Sequence, residues 1–225
     1  MTDLNFRAIR SSLLGALTMA ALLFLPAGTL AYWQAWVFMG VFVGASTAIT
    51  VYLAIKNPKL LERRMHVGPK AEKEKAQKIA VLLALAAFIA LLVLPGFDHH
   101  FQWSGVPPYV SLAGDVLIAL GFLVVFFVLK ENSYGASTIQ VTEDQKVIST
   151  GPYAHLRHPM YAGALLLIVG MPLALGSWWG LFVIVLMLPT LIWRLLEEEK
   201  FLEKNLAGYS EYERKVQYRL VPFIW

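Results

Sequence analysis

The block "GPYAHLRHPMYAG", residues 151–163, concentrates groups able to bind or polarise a charged ligand. His155 and His158 offer imidazoles, Arg157 a permanent cation and Tyr161 a phenol, and an uncharged run from His158 to Trp193 follows at once. Proline suits the first position of a helix, so Pro159 is expected to open one with His158 near its cap. A helix start presents unpaired N–H groups and a partial positive charge, and with Arg157 beside it the place suits an anion. Tyr161 follows His158 by three residues and shares roughly its face.

A second pair, Arg194 and Glu198, lies beyond the uncharged run. If that run folds back about Trp178, His158 and Glu198 are each about 30 Å of helix from the turn and come level. Arg194 then sits one turn deeper than Glu198 on the same face. The expected cavity therefore holds both signs of charge at a lipid–water boundary. S-adenosylmethionine, with a carboxylate, an ammonium, a sulfonium and an aromatic base, matches it. The helix start with Arg157 suits the carboxylate, Glu198 the ammonium, and a tyrosine the ring or sulfonium. Other zwitterions, phospholipid head groups among them, match as well. Plainer readings stand beside these: Arg157 as a snorkelling topology anchor, the histidines as interfacial caps, "LLEEEK" (195–200) as a solvated helical face. Arg194 and Glu198 could form a surface ion pair worth only a few tenths of a kcal/mol.

The elements that must position these residues are membrane helices. Hydrophobic residues make up 58% of the 225 and charged ones 15%, far from the balance of a soluble domain. Cysteine is absent, which excludes a disulfide framework, a thiolate nucleophile and cysteine-ligated zinc. Ser11–Ile55 carries no charge and accommodates two spans, turning at "LPAGTLAYWQAW" (25–36) with Tyr32, Trp33 and Trp36 at interfacial depth. Arg7 and Arg10 before an apolar core resemble a secretory signal, but a second hydrophobic segment follows directly and favours a first membrane helix. Further spans fit Ile79–Phe97 and Tyr109–Leu129, and 158–193 fits two helices joined tightly at "GSWWG" (176–180).

The expected fold is all-α: a polytopic membrane protein of about six helices, the fifth and sixth a tight hairpin, with a cytoplasmic helical tail. It reads as one membrane domain, 1–225, with four N-terminal helices in 1–130 and the site-bearing core in 131–225. All nineteen Lys and Arg fall in 1–10, 56–78, 130–157 and 194–225, and none in the opposite loops. That asymmetry predicts both termini on the cytoplasmic side, and the expected location is the cell's inner (plasma) membrane. It also explains the net charge of +4 as topology, without nucleic acid. "DHH" (98–100) on the far side could suggest a metal but reads as a polar loop, and no metal is expected. Asp115, an acid inside a span, is assigned to packing or the interface.

"GPYAHLRHPMYAG", then "RLLEEEKFL" some 35 residues later, then "GYSEYERKV", resembles the isoprenylcysteine carboxyl methyltransferase family, close to the phospholipid methyltransferases. "NPKLLERR" (57–64) and "SYGASTIQVTEDQKVISTGPY" (133–153) are similar to its bacterial branch. The resemblance implies that His155, Leu156, Arg157, His158 and Tyr161 border S-adenosylmethionine, that Glu198 contacts it, and that Arg194 faces the methyl acceptor. Glu198 with Glu199 is taken as the family's acidic pair, a choice one residue wide among Glu197, Glu198 and Glu199. Tyr209 and Tyr212 match the tail tyrosines that cover the cofactor, with Tyr212 also on the acceptor side.

The activity so implied is methyl transfer to a lipophilic small molecule or lipid at the cytoplasmic face. A carboxylate is the favoured acceptor, because Arg194 suits it and it needs no base. The alternatives are a phospholipid N-methyltransferase and a non-enzymatic membrane binding or assembly module. A transporter is disfavoured, since the first four spans offer few polar groups.

Overall fold

The uncharged stretches become helices, each ended by a local signal. In the computed structural model, residues 3–65, 68, 75–135, 141 and 144–225 are described, without the side chains of 75 and 76. Parts of the 56–78 and 133–153 segments discussed above lie outside the described residues. Helix α1 (Asp3–Ala27) stops at Gly28, whose φ of 66° is a left-handed conformation suited to glycine. Helix α2 (Trp33–Lys56) and the short α3 (Pro58–Met65) follow, then α4 (Lys75–Phe101) and α5 (Pro108–Glu131). A 3₁₀ turn at Gly151–Ala154 leads to α6 (Pro159–Ala174), α7 (Gly180–Asn205) and α8 (Tyr209–Lys215). The described residues contain no strand.

Five helices, α1, α2, α4, α5 and α7, are long and apolar enough to cross a membrane, and α6 is apolar but shorter. The protein is thus an all-α, multi-pass membrane protein with the expected six apolar helices and a helical tail, α8. Apolar side chains such as Leu13, Leu17, Leu25, Leu186 and Phe182 stay exposed, as lipid-facing surfaces require. Segment 56–78, expected only as a basic loop, contains α3, whose Leu60 and Leu61 are buried beside Leu53 and Leu129.

The connection from α6 to α7 is tight, as expected, but α6 lies most extensively along α5 and α7 along α4. Glycines explain the choice. Gly114 and Gly121 of α5, and Gly163 and Gly170 of α6, each stand seven residues apart and so on one face of their helix. A Cβ on Gly114 would come 2.3 Å from the Ala174 amide nitrogen, and one on Gly170 would come 2.8 Å from the Gly114 carbonyl oxygen. A Cβ on Gly121 would meet the Gly163 carbonyl oxygen at 2.9 Å. With no side chain at these four positions, the two backbones approach closely and gain packing that lipid cannot supply.

At the end opposite the basic loops, a polar staple locks the bundle. Asp98 is 1% exposed. Its carboxylate accepts bonds from the Ser104 amide (2.7 Å), the Ser104 hydroxyl (2.6 Å) and the Ser177 hydroxyl. Tyr32, expected at the interface, is instead fully buried: it stacks on His99 at 4.1 Å and donates to the Leu175 carbonyl at 2.5 Å. Of the three aromatic residues of that turn, Trp33 and Trp36 are the exposed ones. His100 meets the Ala27 carbonyl at 3.1 Å. "DHH" therefore joins the α1–α2, α4–α5 and α6–α7 turns, each residue to a different partner.

Candidate active site

Pro159 occupies the first turn of α6 and His158 its N-cap. Because Pro159 has no N–H, the helix start offers fewer donors than an ordinary one. The amides just before it are also taken: Arg157 N–H donates to the Tyr218 carbonyl at 2.9 Å and His158 N–H to the Arg219 carbonyl at 3.0 Å. The chain after α8 thus docks on the approach to α6 and takes up the amides of Arg157 and His158.

Side chains behind this junction form a dense ionic cluster. Glu199, 4% exposed, accepts from His158 Nε2 (3.2 Å) and Arg157 (3.0 Å) through one oxygen and from Arg219 Nε (2.8 Å) through the other. Arg157 also pairs with Glu213 and donates to the Gln217 carbonyl at 3.3 Å. Removing one member of such a buried pair leaves an uncompensated charge, at a cost of about 3–5 kcal/mol.

In front of the cluster opens a cavity of about 360 Å³, within the range of small-molecule sites. Arg157, His158 and Tyr161 line it from α6 and its approach, Arg194 and Glu198 from α7, and Tyr209 and Tyr212 from the tail. Tyr161 donates to Glu198 at 2.7 Å and also bonds Arg194. Arg194 donates to Gln77 Oε1 at 3.0 Å, and that amide is buried at the start of α4. The folded hairpin does bring His158 and Tyr161 level with the glutamates of α7. The glutamate touching His158 is Glu199, whereas Glu198 faces the cavity.

His155 lies outside this cavity, on a second, outward depression with Lys215 and Phe223. Leu156 does not line it either; its carbonyl accepts from the Tyr212 hydroxyl at 3.2 Å. Tyr212 donates to the Tyr153 carbonyl as well, at 2.9 Å, so its hydroxyl fastens the 3₁₀ turn. Burial raises the Tyr212 hydroxyl above its ordinary range. Burial likewise pushes the Tyr153 hydroxyl up to about 12, although the Asn132 amide, donating to it at 2.8 Å, works the other way.

Several functional groups were not anticipated from the sequence. Glu213 and Arg219 complete the cluster, Gln77 holds Arg194, and Arg64 lines the cavity from α3 while donating to the Gly135 carbonyl at 3.2 Å. Gln77 could have been suspected as a lone amide at the mouth of an apolar span. Glu213 and Arg219 carried no such signal in a basic tail.

The cavity lining offers both signs of charge. The Tyr209 hydroxyl is buried on the cavity wall with no partner among the described residues, which leaves a polar atom for a ligand to satisfy. Burial first, and then Glu199, raise that hydroxyl well above its ordinary range, so it is a neutral donor. With Glu198 for a cation, Arg157, whose Nε is buried with no partner among the described residues, for a carboxylate, and tyrosine rings on the wall, the residues fit S-adenosylmethionine. A family model described as phospholipid methyltransferase matches residues 110–208, from the start of α5 to the tail, somewhat under half of the chain. The match agrees with the methyltransferase resemblance of the sequence motifs and supports a membrane methyltransferase. No curated protein matches the chain.

Proposed function

We propose that this protein is an S-adenosylmethionine-dependent methyltransferase acting on a lipophilic acceptor at the cytoplasmic membrane face. The observation that carries the reading is the Tyr161–Glu198–Arg194 unit inside a cavity whose Tyr209 hydroxyl has no partner among the described residues. Residues 131–225 supply most of the core, with Glu198 for the donor's ammonium and Tyr161 and Tyr209 beside it. His158 and Tyr212 line the wall, the Leu156 carbonyl holds the Tyr212 hydroxyl, and His155 stands on the outward face. S-adenosylmethionine bound there supplies an activated methyl group. The chain's own residues have only to orient the partners and exclude water.

Arg194 is the residue assigned to the acceptor. A carboxylate is already nucleophilic at neutral pH, and a guanidinium fork aims it without taking a proton. Carboxyl O-methylation, in the manner of the isoprenylcysteine carboxyl methyltransferases, follows as the favoured chemistry. The family match by its printed description favours a second reading, N-methylation of a phospholipid amine, which requires a group to accept the amine proton. Alkali separates the two products, since it releases methanol from a methyl ester and leaves an N-methyl group in place.

The first test is calorimetric titration of S-adenosylhomocysteine into the detergent-purified protein. Saturable binding is expected, weakened about tenfold or more by Glu198→Gln, which removes about 1.4 kcal/mol or more of charge-assisted bonding. His158→Ala should weaken it as well. Absence of binding in folded protein that is also offered lipid would overturn the enzyme reading and favour an interaction module.

A further inference from the structure

We infer that Arg219, beyond α8, is a positioning residue for the donor site: it fixes Glu199, and Glu199 fixes His158 and Arg157 in the cavity wall. The inference rests on the proposed donor-binding reading. Glu199 does not line the cavity, yet it touches two residues that do. Its carboxylate is divided, with one oxygen serving Arg157 and His158 and the other, at 2.8 Å, serving Arg219. Among these partners Arg219 alone comes from outside the approach to α6, and so it decides which way the carboxylate is held.

The Arg219 guanidinium is itself constrained. It lies 5.5 Å over the Trp225 ring and 4.0 Å from Glu213, which pairs in turn with Arg157. The Trp225 carbonyl accepts from the Leu220 and Val221 amides at 2.9 and 3.0 Å, closing a loop that keeps the ring in place. The carbonyls of Tyr218 and Arg219 accept from the amides of Arg157 and His158. The tail therefore holds the same two wall residues twice, by backbone and through Glu199. A lysine at 219 would keep the charge but not the planar fork that spans Glu199 and Glu213.

If the tail only added stability, breaking its contact would lower the melting temperature and leave donor affinity unchanged below it. A positioning Arg219 predicts coupling. The test is titration of S-adenosylhomocysteine into the full chain as wild type, Arg219→Met, Arg219→Lys, Glu199→Gln and the Met/Gln double variant. All are measured at a temperature where gel filtration and circular dichroism report folded protein. Arg219→Met should raise Kd about tenfold, with Arg219→Lys intermediate at about threefold. The double variant should be no weaker than Glu199→Gln alone, because the two changes break one connection. A wild-type Kd in Arg219→Met, or effects that multiply in the double variant, would overturn the inference while leaving the donor reading intact. Should Arg219→Met not fold, an unchanged Kd in Arg219→Lys overturns it equally. A wild type that does not bind removes the donor reading itself, and this inference with it.

Discussion

Three consecutive glutamates of α7 meet three environments, because successive helical residues turn by about 100°. Glu197 pairs with the exposed Lys200 at 2.7 Å, Glu198 faces Tyr161 in the cavity, and Glu199 is buried against Arg157, His158 and Arg219. Removing each should therefore have a different consequence. Glu197→Ala is expected to change stability by less than about 0.5 kcal/mol, as for other exposed pairs. Glu199→Ala takes the buried carboxylate from Arg157, His158 and Arg219, leaving the two arginines only Glu213, and should cost about 3 kcal/mol or more, read as a large fall in the thermal midpoint of the detergent-solubilised protein. Equal effects at the two positions would show that the cluster does not hold the fold. The four-residue spacing of Arg194 and Glu198 was legible as a shared face, and their common tie to Tyr161 follows from it. Which glutamate reaches His158 was not legible, because it depends on how far α7 is rotated about its own axis relative to α6. That rotation is set by packing with α4 and by the tail.

At the scale of elements, the seam between α5 and α6 determines where His158 and Tyr161 can stand. Substitution there pits backbone against a new methyl. Gly114→Ala has no flexible side chain to displace, since its nearest neighbours are backbone atoms of Gly170 and Ala174. Overpacking of about 1–3 kcal/mol is expected, with a lowered thermal midpoint and weaker S-adenosylhomocysteine binding as α6 shifts. Gly40→Ala is the control: it lies within α2 with nothing within 4 Å of the added Cβ, and it should be neutral or stabilise by up to about 1 kcal/mol through helix propensity. If the two variants behave alike, close approach of α5 and α6 is not what holds the helix start. Span positions were legible because absence of charge over some twenty residues is a strong local signal. Partnership between helices was not, since sequence adjacency suggested α6 with α7. The seven-residue glycine spacings that pair α6 with α5 acquire meaning only when the two helices are set side by side.

For the whole molecule, the two ends of the bundle differ in chemistry. One end carries the Lys and Arg of the described residues together with the ionic cluster and the cavity. The other is closed by the Asp98 staple among turns without Lys or Arg. Translocating a basic loop is costly, so the basic end should remain in the cytoplasm, where a charged, soluble methyl donor is also to be found. The natural lack of cysteine allows a direct test, because a single introduced thiol is the only one the chain then carries. Gly105→Cys lies in the α4–α5 turn, exposed and with nothing within 4 Å of its Cβ, and Ser210→Cys lies exposed on α8. A membrane-impermeant maleimide applied to intact cells, or to spheroplasts if an outer barrier intervenes, should label Gly105→Cys at once. It should label Ser210→Cys only after the membrane is opened. The reverse pattern would put the cavity outside, out of reach of a cytoplasmic donor, and the methyltransferase reading would then fail whatever the isolated protein binds. The expected pattern, combined with weaker S-adenosylhomocysteine binding in Glu198→Gln, would connect the cation asymmetry to chemistry: the same positive-inside bias that orients the helices delivers the cavity to the compartment that holds its ligand.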